Sequence, residues 1–488
     1  MKLEVGIIAL LGLGIASASY MAWNIGANDV ANAMGTSVGS RALTLRQAIV
    51  AACVANVLGA VLVGGHVADT LRKGVLDTGQ FHSDAHTMML GMLSALLAAG
   101  LWIQLSSFFG IPVSTTQAIV GGVVGFGVIA AGAGAIQWSM VGSIGVSWVL
   151  SPAISATLAF LLARLVRGRI VNAPDPIGAT RRWTPVLVFS VFFSMCLVIF
   201  YKGLKNLHLD LPWQSALTIA MLVGGLAAVF GWILVGRADP APEDHEALAD
   251  ADQERRQAEL AGALERALEA LKGAQEAPLQ ETNHDKIHSA AEVVEGLVAE
   301  MRDRAPVRPR DTERSYRFVE RVFASLQVVS ACCVAFAQGS NDVGNAIGPF
   351  AALVNIIHTR TIADQVPVPL WTLLLGGVFI ALGIATWGPR VMKTIGEGIT
   401  HLTPTRGFSA EFATAITVVG ASRLGLPVST THVIVGAVMG VGLSRGIRSV
   451  DWRTLRKMAT MWMVQVPAAA CIAGLLFILL RAIIPRVF

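Results

Sequence analysis

The 488-residue chain is 54% hydrophobic and only 14% charged, where a soluble protein of this length carries roughly a quarter charged residues, so an ordinary soluble domain is excluded. Nineteen of the 32 acidic residues fall between Arg237 and Tyr316, leaving long apolar tracts on either side: the profile of spanning helices with one polar insertion. The basic balance, 37 Lys and Arg against 32 Asp and Glu, needs no nucleic-acid partner, because basic loops beside anionic lipid account for it and no basic run alternates with exposed aromatics.

In chain order, the first 20 residues imitate a signal peptide, with Lys2 and an Ala16-Ser17-Ala18 pattern. Glu4 offsets the charge and a polar motif follows at once, so the segment is read as an uncleaved helix. Apolar stretches long enough to cross about 30 Å lie near 5–25, 48–68, 87–109, 139–165, 184–202, 213–236, 318–338, 369–388 and 455–480. Shorter pieces, broken by Gly, Pro, Asn, Ser and Thr, lie at 30–40, 111–130, 343–358, 409–424 and 428–444. The expected architecture is an all-α polytopic membrane protein with about 10–12 crossings and two re-entrant hairpins. Its parts are a first repeat with linking helices (1–236), a helical insertion (237–315) and a second repeat (316–488). Arg164, Arg167, Arg169, Arg181 and Arg182 share a side with the insertion, two spans away, and the positive-inside rule makes that side cytoplasmic. Within the insertion Leu260, Leu264, Leu268 and Leu271 form one apolar stripe and Val293, Val294, Leu297, Val298 and Met301 a second, an amphipathic hairpin. The five cysteines, all in apolar runs, read as packing residues.

Three pairs of segments match in order: GANDVANAMG (26–35) with GSNDVGNAIG (339–348); GIPVSTTQAIVGGVVGFGV (110–128) with GLPVSTTHVIVGAVMGVGL (425–443); and Trp138, Trp148 and Pro152 with Trp452, Trp462 and Pro467. The chain is a duplication. In a polytopic chain this points to a transporter whose site lies between the repeats on broken helices, near the bilayer midplane.

Each repeat supplies two kinds of polar group. Asp29 and Asp342 are carboxylates inside apolar sequence, flanked by Asn28, Asn32, Asn341 and Asn345, with no Lys or Arg within ten residues of either Asp. Such a carboxylate costs several kcal/mol unless paired or hydrated. Oxygen donors of this type suit Na⁺ or proton exchange rather than a soft metal. Pro112–Thr116 and Pro427–Thr431 each place Ser and Thr at a helix start. Ser114, Thr115, Thr116, Ser429, Thr430 and Thr431 then offer hydroxyls beside free N–H groups and a positive dipole end, two cradles for an oxyanion. An anion facing two carboxylates must bring cations or a proton. Phosphate carries a hydroxyl that an Asp can accept, and sulfate does not. Gln104 is a possible site-facing amide. Arg423 reads as water-facing, with Glu411 as a distant partner, His432 as a titratable replacement for Gln117, and His82, Asp84 and His86 as a solvated loop. No nucleotide-binding loop, nucleophile elbow or zinc motif is present, so no enzymatic chemistry or resident cofactor is expected.

The paired GANDVANA and GSNDVGNAIGP elements with the paired PVSTT elements make the sequence resemble the inorganic phosphate transporter family over about 1–236 and 316–488. The resemblance implies cation-coupled phosphate uptake, an inverted-repeat fold and a homodimer in a cell membrane. It also implies that Asp29, Ser114, Thr115, Thr116, Asp342, Ser429, Thr430 and Thr431 contact phosphate or its cations, with Asn28, Asn32, Asn341 and Asn345 completing the cation sites. Proton-coupled members carry His where this chain has Asn28, so the pattern is closer to the sodium-coupled ones. A proton-coupled or metal-phosphate permease, a permease for sulfate or another oxyanion, and a phosphate-sensing receptor remain as alternatives at this level.

Overall fold

The computed structural model describes residues 2–64, 75–81, 84–200, 211–238, 264, 267–272, 288–295, 310–362, 368–423 and 428–484. Leu260, Leu297, Val298, Met301, His82 and Pro427 lie outside them. The principal helices are α1 (Lys2–Gly39), α2 (Leu45–Val63), α3 (Ala85–Phe108), α4 (Thr115–Ala131), α5 (Trp138–Val166), α6 (Pro176–Phe200), α7 (Trp213–Arg237), α8 (Arg310–Thr359), α9 (Leu370–Thr386), α10 (Gly388–Gly398), α11 (Pro404–Arg423), α12 (Thr430–Leu443) and α13 (Trp452–Ile483). Helices dominate because apolar surroundings leave backbone N–H and C=O groups no partner but each other.

Among the described residues seven helices are long and apolar enough to cross a membrane, or eight if α9 and α10, bent by 68°, form one span. That is fewer than the 10–12 crossings expected from sequence. The expected stretches at 184–202 and 369–388, in α6 and α9, are not among the seven, and the rest of the difference lies at the Asn-Asp elements. Helix α1 runs unbroken through residues 26–35, and α8, 50 residues long, runs through 339–348. Sequence reading separated both into a span and a short piece. Helices α4 and α12, with 17 and 14 residues, are too short to cross alone.

The chain divides into two compact units. One comprises residues 1–174, 178–236 and 319–488; the other comprises 175–177 and 237–318. In the smaller unit the described stretches 267–272 and 288–295 are helical, and an exposed ion pair joins Lys272 to Glu295 at 3.0 Å. A pair so exposed contributes little stability.

Packing in the large unit repeats itself. A Cβ added at Gly26 of α1 would lie 1.9 Å from the Ile380 carbonyl oxygen of α9, and one at Gly383 of α9 would lie 1.9 Å from that of Trp23. Helices α8 and α2 meet in the same way, Gly339 against the Asn56 carbonyl at 2.2 Å and Gly59 against that of Phe336 at 2.0 Å. Residues 23 and 26 match 336 and 339, and residues 56 and 59 match 380 and 383. The short helices do likewise. Gly121 and Gly125 of α4 rest on Val466 and Ala470 of α13, and Gly436 and Gly440 of α12 rest on Pro152 and Ala156 of α5. Helices without a hydrophobic force between them associate by such close backbone approach at small residues. Each repeat thus covers the glycine faces of the other.

Contacts between α1 and α8 fix their relative direction. The Ser40 hydroxyl donates to Gln327, Thr36 and Ser330 meet on one carboxylate, and the Gln338 amide donates to the Asp29 carbonyl. As numbers fall along α1 they rise along α8, so the two matched helices are antiparallel.

Candidate functional site

The starts of α4 and α12 converge on Asp29. Ser114 and Ser429 are the N-caps: each hydroxyl accepts a backbone N–H three residues on, from Gln117 at 3.2 Å and His432 at 3.3 Å. A serine in extended conformation before an apolar run does this well, since it satisfies one of the free N–H groups of the first turn. The threonines behind the caps point inward. Thr115 donates to Asp29 Oδ2 at 2.8 Å, and Thr431 approaches Oδ1 at 3.5 Å while donating to the Val113 carbonyl at 2.9 Å.

The two asparagines cross over between repeats. Asn32 of α1 donates to Thr431 at 2.9 Å, to Thr430 at 3.4 Å and to Asp29 Oδ1 at 3.1 Å. Asn345 of α8 donates to Thr115 at 3.3 Å and Thr116 at 3.4 Å. Asn341 donates to Asp342 Oδ1 at 2.9 Å. The Asp29 and Asp342 carboxyls are both buried and close enough for their charges to interact, and among the described residues neither forms an ion pair.

Three oxygens around this pair have no hydrogen-bond donor among the described residues: Asp342 Oδ2, Asn32 Oδ1 and Gln338 Oε1. A buried acceptor left without a partner costs about 1–3 kcal/mol, and native structures avoid it. Three in one place, beside two carboxylates, form an oxygen cluster that calls for positive charge. Gln338 was not singled out in the sequence. It stands one turn before Asp342, at the position matched in the first repeat by apolar Ile25, and that mismatch is the signal by which it is recognisable.

Two expected site residues have other partners. Asn28 accepts the Val113 N–H at 2.9 Å and donates to Ser107 and the Ile111 carbonyl at 2.9 and 3.2 Å. Its amide is committed at both ends to holding the turn before α4. Gln104 accepts from the Tyr20 hydroxyl rather than facing the cradles.

The Arg423 side chain lies outside the described residues, and Glu411 is placed by other partners. It is fully buried on α11, and its carboxylate accepts from Thr36, from Ser37 at 2.8 Å, from Ser330 at 2.6 Å and from Gln327 at 3.2 Å. Thr36 and Ser37 lie four and five residues beyond Asn32 on α1, so this third buried carboxylate sits beside the helix that carries Asp29. Its partners are between 81 and 375 residues away in sequence, which hides it from local pattern reading.

A cavity reaches the site between α6, α8 and α11. Val191, Met195, Cys333, Phe336 and Phe412 make its apolar wall, and Asn32, Gln338 and Thr430 also line it.

Residues 25–473 match the phosphate transporter family, a span that includes both cradles and both carboxylates. The chain belongs to the phosphate transporter family. It is 40% identical over 456 residues to inorganic phosphate transporter 2-1, chloroplastic, of Arabidopsis thaliana, covering 93% of this chain and 69% of that protein. A solved structure of a sodium-dependent phosphate transporter superposes with a TM-score of 0.77 at 32% identity, covering 97% of this chain and all of the other. The protein is therefore a multi-pass membrane transporter of phosphate and not an enzyme.

Proposed function

We propose that the protein is a Na⁺-coupled phosphate symporter, with one phosphate held between the starts of α4 and α12 and its cations on the oxygens of Asp29, Asp342, Asn32, Asn345 and Gln338. The observation that carries this reading is the convergence of two helix N-termini on a pair of buried carboxylates surrounded by three donor-less oxygens. The helix ends favour an anion. The carboxylates oppose one, so binding is favourable only when cations enter with it. Imposed Na⁺ or H⁺ gradients across proteoliposomes, with labelled phosphate outside, test the coupling. Accumulation driven by Na⁺ alone is the expected result, and accumulation that follows only the proton gradient would replace Na⁺ by H⁺. Excess sulfate should fail to compete, because it offers Asp29 and Asp342 no proton.

The antiparallel run of α1 and α8 supports an inverted repeat, with α4 and α12 as the re-entrant elements. Alternating access then amounts to one arrangement of the repeats exchanging for its mirror in sequence. Orientation follows the cations. Burial, together with the nearby guanidiniums of Arg406, Arg445 and Arg41, holds His401 below the usual imidazole value, which marks a basic cluster at the end of the bundle where α1 stops. The positive-inside rule makes that end cytoplasmic, along with the insertion at 237–315. In a cysteine-free background, Glu269→Cys should react with an impermeant thiol reagent only after the inner face is opened. Labelling in intact cells would reverse the orientation. The resemblance also supports a homodimer.

Thr115→Ala and Thr430→Ala each remove one hydroxyl from an equivalent helix start and leave the backbone amides in place. A hydrogen bond to a charged group is worth about 1.5–3 kcal/mol, roughly ten- to a hundred-fold in phosphate affinity. Both substitutions touch one ligand, so their effects should be similar in size and should couple when combined. Direct phosphate binding to the two single variants and the double variant checks this. Strong loss from one and none from the other would leave only one helix start in contact with phosphate.

A further inference from the structure

The corners that follow the two short helices share a backbone and differ in charge. A glycine at positive φ comes after each helix, Gly132 (84°) after α4 and Gly446 (129°) after α12. A three-residue 3₁₀ turn follows, Ala133–Ala135 in one repeat and Ile447–Ser449 in the other. Each corner is then tied to a loop of its own repeat. The Gln137 N–H donates to the Val75 carbonyl at 3.0 Å, and the Asp451 N–H donates to the Ile399 carbonyl at 2.9 Å.

The side chains do not match. Arg445 and Arg448 stand where the first repeat has Ala131 and Gly134, each 314 positions earlier. His401, two residues after Ile399, stands where Asp77 follows Val75. One repeat therefore closes this corner without these cations, and the backbone does not require them.

In the second repeat they border a pocket of about 390 Å³ at the end of α1. Gly396, Ile399 and Val450 are buried in its floor, and His401, Arg448 and Asp451 line it at exposed positions. Arg406, Arg445 and Arg41 stand close enough to act on His401 through their charge, and Arg406 donates to the His401 carbonyl at 3.2 Å. Asp451 is committed elsewhere, as the N-cap of α13. It accepts the Arg453 N–H at 2.9 Å, the Thr454 N–H at 3.2 Å and the Thr454 hydroxyl at 3.0 Å. Among the described residues no ion pair joins Arg41, Arg445 or Arg448 to a carboxylate. The positive-inside rule asks only that basic residues lie on this side. It does not gather them around one hollow. Guanidiniums offer paired N–H groups that fit phosphate oxygens.

We propose that this pocket is a second anion site, separate from the one between the helix starts, and that it binds inorganic phosphate without sodium. At the helix starts two buried carboxylates oppose the anion. Here the lining carboxylate already holds its own donors, so no accompanying cation is needed. The choice of phosphate rests on the symport and orientation proposed above, which deliver it to this face; the pocket itself does not.

Equilibrium binding of labelled phosphate to delipidated protein in detergent, in Na⁺ or choline buffer of equal ionic strength, separates the two sites. The parent should show a choline component beside the Na⁺-dependent one. Arg445→Ala combined with Arg448→Gly copies residues that the same corner carries in the first repeat, and so keeps the fold. The pair should raise the Kd of the choline component about tenfold, the loss of a charged hydrogen bond at an exposed and partly screened position. Na⁺-dependent binding should stay as in the parent. Absence of the choline component, or its persistence unchanged in the double variant, overturns the proposal and leaves the arginines as orientation signals alone. Nanodiscs distinguish free phosphate from a lipid headgroup. The choline component should survive in both phosphatidylcholine and phosphatidylglycerol; its loss in phosphatidylglycerol alone would give the pocket to an anionic headgroup and overturn the assignment to free phosphate. An arginine-dependent choline component without any Na⁺-dependent one would uphold the pocket and place the fault in the site between the helix starts.

Discussion

Asp29→Asn and Asp342→Asn should each abolish sodium-driven phosphate uptake, a loss on the order of a hundred-fold or more, in protein that still reaches the membrane. Asn keeps the size of the side chain and removes the charge. The Thr115 hydroxyl that donates to Asp29 at 2.8 Å can still donate to an amide oxygen, so the fold around position 29 is retained. What is lost is half of the negative charge that stands beside the donor-less oxygens of Asp342, Asn32 and Gln338. A cation drawn into this buried cluster loses most of its hydration, and only nearby anionic oxygens can offset that cost. Without the cation, the anion faces the remaining carboxylate uncompensated. Uptake into proteoliposomes under an imposed Na⁺ gradient, scaled to the amount of reconstituted protein, is the measurement. Near-normal uptake with unchanged ion dependence in either variant would make that Asp a structural residue and remove it from the cation site.

Gly383→Ala and Gly26→Ala should each prevent the protein from accumulating as a folded species. The added methyl would lie 1.9 Å from a backbone carbonyl oxygen, that of Trp23 in one case and Ile380 in the other. Neither oxygen belongs to a flexible side chain that can turn away. Helices α1 and α9 would have to separate, and overpacking of even a well-placed core costs about 1–3 kcal/mol or more. Here the strain falls on the helix that carries Asp29 and Asn32. Gly145→Ala on α5 is the matched control, since nothing lies within 4 Å of the methyl it would add. Size-exclusion profiles of detergent-solubilised protein compare the three. A monodisperse Gly383→Ala protein at parental yield would mean that α9 can move off α1 without loss, and the rigid pairing of these helices would have to be given up.

The duplication, the paired carboxylates and the capped helix starts were legible in the sequence because each is local. An Asn-Asp pair in an apolar run and a Ser-Thr-Thr after a proline both announce themselves within ten residues. The number of crossings was not legible. Glycine and asparagine near positions 26–35 and 339–348 suggested breaks, yet in this bundle the glycines are contact points for neighbouring backbones, and the helices pass through them. Asn28 was read by its neighbourhood in sequence as a cation ligand, whereas its amide is spent on the turn at residues 111–113. The setting of Glu411, and Gln465 altogether, were hidden for one reason. Their meaning lies in groups hundreds of residues away, Thr36 for one and Ser114 for the other, and no window along the chain contains both partners.

The exchange of glycine faces between repeats sets a timetable for synthesis. Gly59 on α2 is covered by Phe336 on α8, and Gly121 on α4 by Val466 on α13. A ribosome adding about 5–20 residues per second leaves the first of these faces uncovered for roughly 15–55 s and the second for somewhat longer. During that interval the first half of the chain is already in the bilayer with its closest-packing surfaces facing lipid or one another. Helices α2 and α4 must stay near enough to be found, yet loose enough for α8 and α13 to enter. The early half therefore waits as an open assembly until α8 and α13 arrive.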